Sequence, residues 1–273
     1  MALFKVQNKT TLLRILAGRL QISGSQAKKM LDARQVFVNQ RRVWIASYKL
    51  LPGDIVEVDA QKILQEKKQD RVEKLYEDDQ YMIFNKPAGL PTNGPHSFEH
   101  LIRMKFHNPA LTAVHRLDKD TSGCLIAAKN KKIFEKTKEI FKAHEIKKVY
   151  MAIAMGKIPQ THMIIKNPLG GREAETKLMV LKSNKLASLL RVEIVTGRKH
   201  QIRRHLKGIY HPVIGDKHYN RNILRNPAYR EFTTQLLFAK EISFLNPYSN
   251  KEIFAKAEPN KIFKSAQQIL FKI

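Results

Sequence analysis

One cysteine, Cys124, stands in a chain of 273 residues, which excludes an internal disulfide and any Cys-rich metal cluster. It reads as a small buried hydrophobe beside Leu125 and Ile126. No apolar stretch approaches the ~18 residues needed to span a bilayer. The N-terminal Met1-Ala2-Leu3-Phe4-Lys5 lacks the charged, apolar and small-residue order of a secretory leader. The expected setting is therefore the cytoplasm, with no membrane partner. There is no glycine loop of the kind that cradles a nucleotide cofactor. Acidic residues are also scarce: 24 against 50 Lys and Arg, a net charge of +26. An excess of that size favours a polyanionic partner, nucleic acid first, although part of any lysine surplus is ordinary solvated surface.

The charge is unevenly spread. Residues 1–60 carry ten bases and four acids, residues 61–80 five and six, and residues 81–273 the remaining 35 and 14. Segment 60–73 is almost entirely polar without a sustained apolar period, and reads as a linker or a solvated helix. The expected organisation is a small domain over 1–59, the linker 60–73, and a larger domain over 74–273.

In the first part, Leu12, Leu13, Ile15 and Leu16 suggest a helix, and Ser25 is placed to cap a second one carrying Ala27, Met30 and Leu31 at helical spacing. Val36 and Val38 alternate as a strand. Leu51-Pro52-Gly53-Asp54 has the residues of a type II turn, and Ile55, Val56 and Val58 close with another strand. Lys28, Lys29, Arg41 and Arg42 are its candidate RNA contacts. Ser25 to Leu31, Val36 to Asn39 and Leu51 to Val58 together resemble the S4 domain, a small α/β RNA-binding module. That family usually has Gly near Arg34 and after Asn39, where this chain has Gln40. A basic packing or dimerisation module is the plainer alternative.

From residue 74 short apolar strands dominate. Tyr81 to Phe84 runs into Lys86-Pro87-Ala88-Gly89, and Asn130 is placed to cap a helix with Ile133, Thr137, Ile140, Phe141 and His144 on one face. Lys148 to Met155 alternates, with Tyr150, Ala152 and Ala154 sharing a side. Without a regular βαβ rhythm, the expected class is α+β around a mixed or antiparallel sheet.

Three separated stretches carry chemistry. His115-Arg116-Leu117-Asp118-Lys119-Asp120-Thr121-Ser122-Gly123 sets a carboxylate in a turn before an apolar strand. Such an Asp can be catalytic, or can simply bond its own backbone two residues on. Tyr150 stands among alanines, leaving room for a planar ligand over its ring. Thr196 to His205 is expected to turn at Gly197 and begin a helix with His200 and Arg203 on one face. A guanidinium from it near Asp118 would hold the carboxylate ionised and oriented; the alternative is a phosphate-gripping basic patch. His96 and His100 have metal-ligand spacing without an acidic or Cys partner, and read as loop or RNA-contacting residues.

Taken in order, Lys86 to Gly89, His115 to Gly123, Lys147 to Tyr150 (thirty-two residues after Asp118, 150 − 118), Thr196 to His205, His211-Pro212, Gly215-Asp216 with Tyr219, and Leu237 to Ala239 resemble the RluA-type RNA pseudouridine synthases that carry an N-terminal S4 domain. The departures are Tyr210 and Asn220, where Gly is usual, and a variable stretch from Asn222 to Arg230. The resemblance implies isomerisation of a uridine in folded RNA: C1′–N1 is cut, the uracil turns, and C5 joins C1′. Asp118 is implied as the essential carboxylate, acting on the sugar, on the base or on a sugar proton. Tyr150 is implied to stack on the uracil, Arg203 to pair with Asp118, and Arg116 to enter the helix as the base leaves. His115, Arg198 and His200 are the further RNA contacts expected around them. No metal or cofactor is expected, since nothing is oxidised or hydrolysed overall. Ribosomal RNA of the large subunit is the implied substrate with transfer RNA second, acted on by a monomer. The rival from another class is a non-enzymatic RNA-binding or ribosome-assembly factor. A two-carboxylate glycosidase fits less well, because only Asp120 lies near Asp118 in sequence.

Overall fold

A computed structural model describes residues 2–20, 22–58, 72–220 and 227–272, and the chain divides into two compact units, Met1–Arg71 and Val72–Ile273. Residues 60–71 of the expected linker lie outside the described residues. Val72 is buried and Glu73 opens a strand, so 72–73 belong to the second unit.

The first unit folds as two helices against a small antiparallel sheet. The strands are β1 (Ala2–Lys5), β3 (Val36–Val38), β4 (Arg41–Arg42) and β6 (Ile55–Val58), in the order β1-β6-β3-β4. A separate pair joins β2 (Thr10–Thr11) to β5 (Lys49–Leu50). Helices α1 (Leu12–Leu20) and α2 (Gly24–Asp32) bury Leu12, Leu16, Met30 and Leu31 against Val36 and Val56. The cap of α2 is Ser23 rather than Ser25. The Ser23 hydroxyl accepts from Gln26 N at 3.1 Å, and the Gln26 side chain accepts from Ser23 N at 3.0 Å, which closes a capping box. Leu51 to Asp54 forms the expected turn: Asp54 N donates to Leu51 O at 3.1 Å, and Gly53 supplies φ 99°.

Three of the departures from glycine have a backbone explanation. Arg34 (φ 56°), Gln40 (φ 67°) and Tyr210 (φ 64°) all occupy the left-handed region where glycine is free of strain. Asn39 and Gln40 are the two central residues of the β3–β4 hairpin, and both have positive φ as its twist requires. Tyr210 has no visible compensation, because its ring is 87% exposed. Tyr210→Gly is therefore expected to raise folding stability by about 1 kcal/mol, read as a higher thermal midpoint. An unchanged or lower midpoint would mean the ring is held by contacts that offset the strain.

The second unit is built on a ten-stranded mixed sheet. Its path runs β12 (His162–Ile165), β13 (Thr176–Ser183), β14 (Ala187–Ile194), β11 (Lys147–Met155), β15 (Leu237–Leu245), β10 (Ser122–Ala128), β8 (Tyr81–Lys86) and β7 (Glu73–Glu77). Strand β16 (Glu252–Lys256) joins β15, and β9 (Thr112–Ala113) joins β10. The helices are α3 (Phe98–Lys105), α4 (Lys131–Lys142), α5 (Gln201–Gly208) and α6 (Lys261–Phe271). Asn130 caps α4 as expected, its side chain accepting from Ile133 N at 3.0 Å, but His144 lies beyond the helix at φ 62°.

The alternation in β11 sorts residues onto two covered faces rather than onto a core and a solvent side. Lys148 to Ala154 are all buried. Tyr150, Ala152 and Ala154 join one core cluster with Leu190 and Leu237, while Met151 and Ile153 join another with Phe238 and Phe263 of α6. Strands β10 and β15 run parallel, pairing Ser122 with Phe238 and Gly123 with Ala239. Gly123 is required there: at φ 115° it lies so close that a Cβ would stand 2.1 Å from the Ala239 carbonyl oxygen. This junction fixes the loop that carries Asp118.

Candidate active site

The Asp118 loop, between β9 and β10, is clamped through its backbone. The Asp118 carbonyl closes a turn with Thr121 N at 3.1 Å. The Thr92 hydroxyl accepts from Leu117 N at 3.0 Å and donates to Leu117 O at 2.8 Å. From below, Lys86 reaches Lys119 O at 3.3 Å while donating to Pro87 O at 2.9 Å and Leu90 O at 2.7 Å. Lys86 is fully buried; burial brings its ammonium down to about 8, opposed by the charges of Asp120 and Asp118. Gln235 fixes Thr121 at 2.6 Å. With its backbone held this way, the Asp118 side chain is directed away from its own turn.

It points at Arg203. Nη1 of Arg203 donates to Asp118 Oδ2 at 2.8 Å, and His200 Nε2 stands 3.6 Å from Oδ1. The rest of the Arg203 fork is taken by Asp216, with Nε to Oδ2 at 2.6 Å and Nη2 to Oδ1 at 2.9 Å. A guanidinium shared between two carboxylates in fixed planar geometry has little freedom left. Burial disfavours its charge, but the hydrogen bonds it donates to Asp216 and Asp118 outweigh that and raise it further. Asp216 is wholly buried and held ionised: burial pushes its carboxyl up, and Arg203 with the backbone N–H groups of Tyr219 and His218 brings it below the usual carboxylate range. The Tyr219 ring lies 5.1 Å from the guanidinium, and its hydroxyl meets His200 Nδ1 at 3.0 Å.

Asp118 and Arg203 face a cavity of about 570 Å³, lined also by Arg116, Tyr150, His200 and Leu237, among others, while Asp216 stays behind Arg203. Its size suits a small planar ligand with sugar attached. Tyr150 is buried in its wall; burial pushes the phenol well up, with the Asp118 charge adding to the effect. A Tyr kept neutral on an apolar face is a stacking surface. Arg116 is exposed at the cavity and has no ion-pair partner among the described residues.

The other expected contacts lie beside the cavity or on the first unit. His200 is not within α5 but precedes it, in a left-handed conformation (φ 55°). Burial lowers its ring, Asp118 opposes that, and Arg203 and Lys199 add to the lowering. Gly197 carries no positive φ; the turn there is closed by Gln201, whose side chain accepts from Arg198 N at 3.0 Å and from the Thr196 hydroxyl at 2.7 Å. Arg198 lines the cavity with Nε tied to Glu173 O at 2.8 Å. In the first unit Lys28, Lys29, Arg41 and Arg42 are all exposed, the last stacked 5.2 Å over Phe37. His96 is in a loop and His100 on α3, and among the described residues no cluster of His, Cys, Asp or Glu could hold a metal.

His115, expected as an RNA contact, lines the cavity. Its Nε2 accepts from Ile126 N at 3.1 Å and its ring lies 5.3 Å from Phe141. Burial, helped by Lys148, pushes it down to about 3, so at neutral pH it offers no charge to a phosphate. The folded value lies below the unfolded ~6.5, so this contribution to stability is complete above pH 6.5 and is lost as pH falls towards 3, by up to ~1.4 kcal/mol per pH unit. His115→Gln keeps an acceptor and removes the titration. Its thermal midpoint is expected to fall less steeply than wild type between pH 6.5 and 4; parallel curves would assign the acid loss to other groups.

Sequence reading gave Asp216, Lys86 and Thr92 no role. Asp216 belonged to a quoted motif, but its pairing with Arg203 needs the fold to bring residues thirteen apart together. Asn220, where Gly is usual, is buried with Nδ2 unpartnered among the described residues.

Comparison with known proteins agrees with this architecture. The RNA pseudouridylate synthase family matches residues 80–207, and the S4 domain matches residues 12–56. An RNA pseudouridine synthase of Mycoplasma pneumoniae is 32% identical, across 95% of this chain and 92% of that one. The ribosomal large subunit pseudouridine synthase C of Vibrio cholerae is 31% identical, across 85% and 84%. Human RNA pseudouridylate synthase domain containing 4 shares the fold, with a TM-score of 0.63 at 22% identity over 76% of this chain and 95% of that one. With an S4 domain ahead of a synthase domain and relatives of this identity along most of its length, the chain belongs to the RNA pseudouridine synthases, enzymes that isomerise uridine in RNA.

Proposed function

We propose that this synthase modifies ribosomal RNA, that of the large subunit, and that Asp118, Tyr150 and Arg203 carry the reaction. The ion pair between Arg203 and Asp118 at 2.8 Å, on the wall of a cavity that also holds the Tyr150 ring, is the observation that carries the assignment. A base stacked in a helix is out of reach and must be turned out, at a few kcal/mol. Stacking on Tyr150 returns ~1–3 kcal/mol, and the free guanidinium of Arg116 is suited to fill the gap. Asp118, aimed by Arg203, acts on the nucleotide so that C1′–N1 breaks; the uracil turns on the Tyr150 face, and C5 bonds to C1′. C5 then loses its proton and the released N1 takes one up, so the product is an isomer and no cofactor is called for.

Relatives named for the large ribosomal subunit support the choice of substrate, and a net charge of +26 supports a large polyanion. In this reading the first unit grips RNA through Lys28, Lys29, Arg41 and Arg42, and the enzyme works as a cytoplasmic monomer. The test is a map of pseudouridine in total RNA from cells with and without the gene. Loss of a discrete site in large-subunit ribosomal RNA is expected. Loss confined to transfer RNA would replace the substrate.

A further inference from the structure

Lys148 is a buried cation on the cavity wall. It is 6% exposed, lines the cavity, and its ammonium lies 5.5 Å over the Phe141 ring. Among the described residues no carboxylate pairs with it. Its two strand neighbours carry acids, Glu193 and Glu241, but these stand opposite Val149 and so belong to the other face, where Arg191 lies 3.9 and 3.6 Å from them. The cavity's own carboxylate, Asp118, is held by Arg203. The other charges lining the cavity, Arg116, Lys142, Arg198 and Lys199, have the same sign. Burial alone lowers the ammonium from its ordinary value. An unpaired buried charge is costly, and one that faces an open cavity is completed by an anion from outside.

We propose that Lys148 holds the backbone phosphate of the nucleotide that occupies the cavity. This rests on the reading that the cavity takes a uridine. Lys148 and Tyr150 are alternate residues of one strand, so they share a face about 7 Å apart. A uracil on the Tyr150 ring with Asp118 at the sugar therefore leaves its phosphate towards Lys148, and the Phe141 face keeps the ammonium in position while the site is empty. Lys148 thus sets the depth to which the flipped nucleotide enters, and it selects nucleotide over free nucleoside.

The test compares uridine 5′-monophosphate and uridine 3′-monophosphate with uridine as ligands of the full-length protein. Wild type is expected to bind at least one of the monophosphates about tenfold more tightly than uridine. Lys148→Met should erase that preference and leave thermal stability equal or higher, since an unpaired buried charge is removed; Lys148→Arg should retain part of the preference. On RNA, Lys148→Met should raise KM more than it lowers kcat, and make the salt dependence of affinity shallower by about 0.7 in log–log slope. A wild type that binds uridine as well as both monophosphates, or a preference intact in Lys148→Met, overturns the proposal. If wild type prefers the monophosphate yet converts no RNA, the proposed function fails instead and the phosphate site stands.

Discussion

Asp118→Asn is expected to stop pseudouridine formation, by on the order of 10⁴-fold or more, while RNA binding persists. The substitution is nearly isosteric, and its Oδ1 can still accept from Arg203, so the 2.8 Å contact and the clamped loop beneath it have no reason to move. What is lost is the carboxylate's charge, which Asp216 does not replace, being wholly buried behind Arg203 and outside the cavity. Removing a negative charge from a site that meets RNA should leave affinity intact or improve it slightly. Turnover of the purified variant near the wild-type rate would remove Asp118 from the chemistry, and a parallel loss of affinity would make it a binding residue.

The second large effect is expected at Asp216, a residue buried behind Arg203 and outside the cavity lining. Asp216→Asn leaves Arg203 with one acceptor where the Asp216 carboxylate had supplied two, and sets an amide N–H₂ against a guanidinium N–H. Breaking one side of a buried ion pair typically costs about 3–5 kcal/mol. The side chain also accepts from His218 N and Tyr219 N at 2.9 and 3.1 Å, so the segment that presents Tyr219 to Arg203 loosens with it. Arg203 would then turn towards Asp118 and misdirect it. The expected outcome is a drop in thermal midpoint together with a fall in kcat at saturating RNA, with KM little changed. A stability loss without a loss of kcat would confine Asp216 to holding the fold.

Much of this arrangement can be read in the chain, for reasons that differ by residue. Asp118, Tyr150 and Arg203 are far apart in sequence, yet each lies in a motif whose order is kept, and the structure brings all three to one cavity. The Asn130 cap follows from local chemistry and is present, and β11 alternates between two core clusters although both its faces are buried. Arg34, Gln40 and Tyr210 stand where glycine is usual, and their positive φ is the physical content of that departure. Other features depend on partners that no local rule names. A lysine reads as surface, so the burial of Lys86 beneath the Asp118 loop appears only once three carbonyls converge on it. Two serines flank the start of α2, and the deciding signal, Gln26 three residues after Ser23, is easily passed over. The plain alternative for Asp118, a side chain bonded to its own turn, fails because the backbone carbonyl closes that turn and frees the carboxylate.

The central claim is that this cavity converts uridine with Asp118. It is tested most directly by incubating purified protein with large-subunit ribosomal RNA transcribed with uridine tritiated at C5, and counting the tritium released to water. Joining C5 to C1′ expels the C5 hydrogen, so each turnover releases one label. Wild type is expected to release label up to a whole number of uridines per transcript, and Asp118→Asn to release none while still binding the RNA. Release by both proteins, or by neither on any RNA tested, would contradict the account.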